Sequence, residues 1–180
     1  MHEVTARDLM IPLDAYPHVN ESDSLLDAIH IMAASHIERN GSISLPRTLL
    51  VFDESGHLSG LARRRDLLRG ISPRFFFRYS STHPEAHEDV NMDTALSEIL
   101  GDKVIQRFKE KARGPIGEVI QPIPAVIPAD ANLAALIHAL VEHDHHMLPV
   151  MDKEEVIGIV RSVEVLAALS DFLNSLAADL

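Results

Sequence analysis

Leu148-Pro149-Val150-Met151-Asp152 and, one turn later, Gly158-Ile159-Val160-Arg161-Ser162-Val163-Glu164-Val165-Leu166 restate an earlier stretch of the same chain. That stretch is Leu49-Leu50-Val51-Phe52-Asp53, then Gly60-Leu61-Ala62-Arg63-Arg64-Arg65-Asp66-Leu67-Leu68. Each copy reads as an apolar strand, an acidic turn, a second strand, a glycine and the start of a helix. Upstream of each lies an amphipathic helix, marked by Leu25, Leu26, Ile29 and Met32 in one copy and by Leu133, Leu136, Ile137 and Leu140 in the other. A duplicated unit predicts a pseudo-symmetric pair with two equivalent clefts where the copies meet. Function is expected in those clefts.

The flanking sequence fills out the unit. Thr5 to Leu9 reads as a lead-in helix, and Ala15 to Val19 as a short extended segment after Pro12. Ser22 or Ser24 is the expected cap of the first long helix, which runs to about Ser35. Residues 36–46, with Asn40-Gly41 as a turn signal, read as a loop. Arg63 to Arg69 starts a further helix that Gly70 is expected to stop. In the second copy Ile116–Ile120 leads in, Ala125–Ile127 is extended, and Asp130 is the expected cap of a helix with apolar positions 133, 136, 137, 140 and 141. A last helix runs from Ser162 to about Ala177. The order in each copy is β-α-β-β-α, which gives an α+β fold. The expected division is repeat 1 at residues 1–70, a partly helical insert at 71–114, and repeat 2 at 115–180. The insert carries Phe75-Phe76-Phe77 and an apolar helix stripe between Asp93 and Arg113, so it is expected to dock rather than to hang as a tether.

Composition excludes several classes of function. The chain has 180 residues, 46% of them apolar, so it can bury a real core. Its net charge of −11 argues against a general nucleic-acid surface. Of the cations, only Lys153 and Arg161 fall after residue 114, and Arg161 stands in the glycine-strand-helix junction. No apolar run is long enough for a membrane span. Met1-His2-Glu3-Val4-Thr5 has neither the basic region nor the apolar stretch of a leader, and a cytoplasmic, soluble protein is expected. With no cysteine, disulfides, thiolate catalysis and cysteine-bound zinc are excluded.

The arrangement resembles a tandem pair of cystathionine β-synthase (CBS) domains, the Bateman module. The resemblance covers about 1–70 and 115–175, and rests on Asp8-Leu9-Met10, the helices, Leu148-Pro149-Val150-Met151-Asp152 and the two junctions. It implies an adenosine-type ligand (AMP, ADP, ATP or S-adenosylmethionine) in the inter-repeat clefts, a regulatory role toward an unidentified protein, and a homodimer. The family's ribose-phosphate signature runs Gly, two strand residues, Ser or Thr, two residues, then Asp or Asn. Here it reads Gly60-Leu61-Ala62-Arg63-Arg64-Arg65-Asp66 and Gly158-Ile159-Val160-Arg161-Ser162-Val163-Glu164, with arginine in place of both hydroxyls and Glu in place of the second Asp.

The junction chemistry supports that reading. A helix N-terminus offers free N–H groups and partial positive charge to a phosphate. Gly60 and Gly158 would let a ligand approach the strand end. Asp66 and Glu164 could accept from a ribose diol, while Arg63 and Arg161 would add bidentate phosphate contacts. His146, just before the second core strand, is the further candidate lining residue. Asp66 keeps the family's acceptor, so the first copy is expected to be the better site. Two other readings stay open. Arg63–Asp66 and Arg161–Glu164 are i, i+3 pairs, which can simply decorate a helix or plug a vestigial cleft in a ligand-free dimerisation or protein-interaction module. His143-Asp144-His145-His146 carries metal-ligand chemistry, at a helix-to-strand turn that scatters the side chains. No phosphate loop, His-Glu-x-x-His or marked nucleophile supports an enzyme.

Overall fold

The computed structural model describes residues 4–39, 41–72, 102–123, 125–142 and 144–178. The first half contains α1 (Ala6–Leu9), β1 (Ile11–Pro12), a 3-10 turn (Leu13–Ala15), β2 (His18–Asn20), α2 (Leu25–Ala34), β3 (Ile37–Arg39), β4 (Ser42–Ser44), β5 (Thr48–Phe52), β6 (Leu58–Arg63) and α3 (Arg64–Ile71). The second contains α4 (Asp102–Ala112), a 3-10 turn (Ile116–Glu118), β7 (Ile127–Pro128), α5 (Leu133–Glu142), β8 (Met147–Asp152), β9 (Glu155–Arg161) and α6 (Ser162–Ala178). This is the α+β fold the duplication predicts, two repeats each built on a small mixed sheet.

Each sheet has an antiparallel hairpin at its heart and a parallel strand beside it. β5 pairs with β6, and β2 runs parallel to β5. β8 pairs with β9, and β7 runs parallel to β8. The copies match down to the register shift, which falls between Val51 and Phe52 in one and between Val150 and Met151 in the other. All five residues of β5 are buried, as a strand covered on both faces requires.

The lead-in segments are exchanged between the repeats. β1 belongs to the first half, yet it pairs antiparallel with β9 of the second, Ile11 opposite Ile159 and Pro12 opposite Gly158. Reciprocally, the Leu61 N–H donates to the Gln121 carbonyl at 3.0 Å and the Gln121 N–H to the Leu61 carbonyl at 2.8 Å. The cores follow the same exchange. Ala6 is packed among Leu136, Leu148, Val150 and Val160 of the second repeat, and Ile116 among Leu25, Leu49, Val51 and Leu67 of the first. A third cluster joins the two sheets through Ile11, Tyr16, Ile37, Leu50, Phe52, Leu61, Met147 and Ile159.

Several local expectations are corrected. Residues 36–46 are not a plain loop: β3 and β4 form a hairpin of their own, turning where Gly41 takes φ +75°. The cap of α5 is Asn132, whose Oδ1 accepts the Ala135 N–H at 3.0 Å, rather than Asp130. Of the two serines offered for α2, Ser24 is the cap and accepts the Asp27 N–H at 3.1 Å. Gly70 does not stop α3 but lies inside it, where a Cβ would stand 2.7 Å from a Val119 methyl. From the apolar stripes of α2 and α5, Leu25, Met32, Leu136 and Leu140 are core. Of the expected insert helix, α4 is described, whereas Phe75-Phe76-Phe77 lies outside the described residues.

The glycines of the signature change role as well. A methyl on Gly158 would overlap the Ile11 carbonyl, and one on Gly60 would come within 2.8 Å of the Gln121 carbonyl. It is the crossing backbone, not a ligand, that requires an absent side chain here. Gly158→Ala is therefore expected to destabilise the apo protein by about 1–3 kcal/mol, read from urea unfolding with no ligand added. An unchanged midpoint would return this glycine to a ligand-facing role.

Candidate functional site: the two strand-to-helix junctions

Each core hairpin ends in an arginine that caps the following helix. At the first junction the Arg63 N–H donates to Asp66 Oδ2 at 3.0 Å, its Nε donates to the same oxygen at 2.7 Å, and its Nη2 to Oδ1 at 3.2 Å. Asp66 is only 2% exposed. At the second junction the Arg161 N–H donates to Glu164 Oε2 at 3.2 Å and its Nε to that oxygen at 2.9 Å, while Nη2 pairs with Oε1. The spacing explains the geometry. A carboxylate three residues beyond the cap folds back to the cap's own N–H, satisfying a donor that the helix leaves free. The next donors are taken too: the Arg64 N–H reaches the Arg47 carbonyl at 3.1 Å, and the Ser162 N–H the His146 carbonyl at 2.8 Å.

The structure therefore brings Arg63 to Asp66 and Arg161 to Glu164, with Gly60 and Gly158 three residues behind each arginine under the crossing lead-ins. A cleft opens at the second junction, lined by Arg161 and Glu164, and another beside Asp66 of the first, whose lining does not include Arg63. That at the second has a volume of about 960 Å³ and is walled by both repeats: Leu9, Arg39, Ser42 and Ser44 on one side, Asn132, Ile137, Arg161, Glu164 and Phe172 on the other. That at the first has about 820 Å³ and a more polar lining, with Asp66, Arg69, Arg107, Lys111, Glu118 and Gln121. Arg161 also crosses between repeats, its Nη1 donating to Ser44 Oγ at 2.8 Å. Arg39 donates to the carbonyls of Met10 at 2.6 Å and Asp8 at 3.1 Å. Those carbonyls end α1, where a cation is favoured.

His146 sits between the junctions. Its Nε2 lies 3.2 Å from the hydroxyl of buried Thr48 on the other repeat. Burial lowers its pKa from the ordinary 6.5, and Arg47, His145 and Arg63 push the same way. The hydroxyl of Tyr16 donates to the Thr48 carbonyl at 3.0 Å. Burial raises the Tyr16 pKa, with Arg161 opposing and Glu164 adding to the rise. Both side chains are thus held neutral at the seam. Of the histidine cluster, His143 lies outside the described residues, and no metal-holding group of three ligands occurs among those described.

Arg39, Ser44, Thr48 and Tyr16 escape the sequence reading. Arg39 and Ser44 stand in the stretch read as a loop, and no spacing there signals an approach to the opposite repeat. Thr48 offers the one available hint, a polar residue opening an otherwise apolar strand.

The comparisons with known proteins bear on the whole chain. The CBS domain family model matches residues 6–73 and 116–171, more than half of the sequence, and the chain belongs to that family as a tandem CBS pair. Among solved structures, the CBS-pair protein CBSX2 from Arabidopsis thaliana aligns with a TM-score of 0.61 and 21% identity, covering 96% of this chain and 99% of that one. CBSX2 in complex with AMP gives 0.58 and 21%, over 93% and 97%. The cytosolic domain of the Mg2+ channel MgtE in complex with ATP gives 0.54 and 20%, over 89% of this chain and 47% of that one. Among curated proteins no sequence match is found.

The seam carries a pH signature. Because the His146 pKa falls below its ordinary 6.5 on folding, the unfolded chain takes up the proton first as pH drops. The stability due to neutral His146 is present above that pH and is lost as pH falls toward the lowered folded value. His146→Gln is expected to lose less melting temperature than the parent between about pH 7.5 and about pH 5. Equal acid losses in the two proteins would show that His146 does not contribute.

Proposed function

We propose that the chain is a regulatory, ligand-sensing module that takes an adenosine-type ligand, AMP, ADP, ATP or S-adenosylmethionine, in its inter-repeat clefts. The observation that carries this is the cleft at the second junction. It is walled by both repeats, with Arg161 and Glu164 on one side and Arg39 on the other. Leu133, Ile137 and Phe172 offer an apolar wall to an adenine ring. Glu164 is the acceptor for the ribose diol, and Arg161, with the start of α6, is the seat for phosphate. At the first junction Asp66 and Arg63 take the same parts, with His146 between. Gly60 and Gly158 support the cleft floors through the lead-in strands. CBSX2, solved with AMP, and the MgtE domain, solved with ATP, share this fold. The sequence reading favours the first cleft; in this proposal the second is the principal site, because both repeats wall it and it is lined by Arg39 as well as Arg161. A metabolite of this class implies a cytoplasmic setting and a regulated protein partner, and the pairs of cation and carboxylate suit holding a ligand rather than transforming it.

A second reading has its own support. Both arginines already satisfy their carboxylates, so the clefts could be plugged and the module could serve association alone. Thermal shift and calorimetry against the four ligands separate the two. A saturating ligand, at a hundred times its Kd, adds about 2.7 kcal/mol to the folded state. Arg161→Ala is expected to weaken AMP by about 1.5–3 kcal/mol and adenosine far less. If no adenosine compound shifts the melting temperature, the plugged-cleft reading takes over.

Among the described residues, α6 is the element that exposes the most large apolar side chains. Val163, Leu166, Phe172, Leu173 and Leu176 are exposed there, and Val141 on neighbouring α5. A homodimer covering this face is the expected assembly. Light scattering at micromolar concentration should give twice the mass of the 19.9 kDa chain, and Leu166→Glu with Leu173→Glu should halve it. A parent protein that is strictly monomeric would end this proposal.

A further inference from the structure

The pseudo-symmetry breaks between the first long helix of each repeat and the core strand that follows it. In the second repeat α5 ends at Glu142 and β8 begins at Met147, a short connection. In the first, α2 ends at Ala34 and β5 begins only at Thr48, and the interval holds the β3–β4 hairpin. The hairpin pairs only within itself, as a two-stranded sheet joined to neither main sheet. Such a ribbon is marginal alone, so its position depends on what it touches. Ile37 anchors one end in the core between the sheets. Arg39 holds the ends of α1 by the Met10 and Asp8 carbonyls. Ser44 accepts from Arg161 of the opposite repeat at 2.8 Å. Arg39, Ser42 and Ser44 all line the second cleft. None of the hairpin's residues lines the first.

We propose that this hairpin is a selectivity flap: it gives the second cleft a second guanidinium, Arg39, and so restricts it to phosphate-bearing adenosine ligands. The inference rests on the adenosine reading above and narrows it to AMP, ADP or ATP against S-adenosylmethionine and adenosine. The four charged side chains on the cavity are Arg39, Arg161, Glu164 and Asp171. Glu164 already balances Arg161. Arg39 donates to neutral carbonyls, and Nη1 of Arg161 to a neutral hydroxyl. A phosphate dianion replaces both with charge-assisted, bidentate bonds, which are shorter and stronger. S-adenosylmethionine offers one monoanionic carboxylate, enough for a single arginine, while its sulfonium and ammonium are repelled by both. The order of preference is therefore set by the phosphate, while the base and ribose are held by groups that every member of the class would meet.

Calorimetry on the full chain with AMP, adenosine and S-adenosylmethionine tests this. In the parent, AMP is expected to bind about tenfold or more tighter than either of the others. Arg39→Gln should weaken AMP by about tenfold or more and leave adenosine nearly unchanged. Arg39→Lys should recover part of the loss, and circular dichroism would verify the fold of each. Equal affinity of the parent for AMP and adenosine, a reading that needs no variant, would overturn the flap's role and leave the adenosine site standing. So would equal losses for AMP and adenosine in a folded Arg39→Gln. A parent that binds none of the three would remove both the flap and the adenosine reading.

Discussion

The exchange of lead-in strands across the pseudo-two-fold is the constraint on which the rest depends. β1 completes the sheet of the other repeat, and Gln121 returns the same pairing to Leu61. Neither repeat can therefore close its sheet or its core alone, since Ala6 and Ile116 fill the opposite cores. The exchange carries a steric condition. Two backbones meet at Gly158 and Ile11, and again at Gly60 and Gln121, at distances that leave no room for a Cβ. Once that condition is met, the strand beyond each glycine must end at the same depth. The arginine and its helix start are thereby set at the mouth of a cleft that neither repeat could form by itself.

What the junctions hold is already paired. Asp66 and Glu164 are buried carboxylates, and their arginines supply both the backbone donor of a cap and the charge that makes burial tolerable. A ligand must replace bonds rather than fill a void. For the proposed adenosine nucleotide, the ribose would compete with an arginine for each carboxylate, and the phosphate with a carboxylate for each arginine. That competition makes the affinity sensitive to ligand charge, because a neutral diol is a weak rival for a guanidinium whereas a phosphate is a strong rival for a carboxylate. An anion can also be received by a chain of net charge −11 only where cations are gathered locally; the second cleft gathers Arg39 and Arg161 from opposite repeats, and the first Arg69, Arg107 and Lys111.

The duplicated hairpin, the glycine and the helix after it were legible because burial on both faces forces long apolar runs at β5 and β8, and two matching runs disclose the symmetry. The pairing of lead-ins was not. A strand of two residues, such as Ile11–Pro12, has no periodicity to read. The β3–β4 hairpin hid for a related reason: each strand has three residues, two of them polar, and only the glycine turn showed. Asp130 and Asn132 are both good caps, and which of them opens α5 depends on where the chain leaves β7, a tertiary matter. The glycines of the signature announced a close approach correctly, but a glycine does not say what approaches. Here it is the protein's own backbone.

The same limit applies to the arginines. In sequence, Arg63 and Arg161 look equivalent, each three residues before a carboxylate and three after a glycine. In space they diverge: Arg161 also hydrogen-bonds a group from the other repeat, Ser44, whereas Arg63 bonds Asp66 within its own junction. The difference arises from the inserted hairpin and not from the junction itself. Symmetry therefore supplies the clefts, and the break in symmetry supplies their individuality. A module with two unlike clefts built from like halves can respond to one ligand at one site while the other remains structural. Between them runs the shared seam, where Tyr16 meets Met147 and Thr48 meets His146 across the repeats.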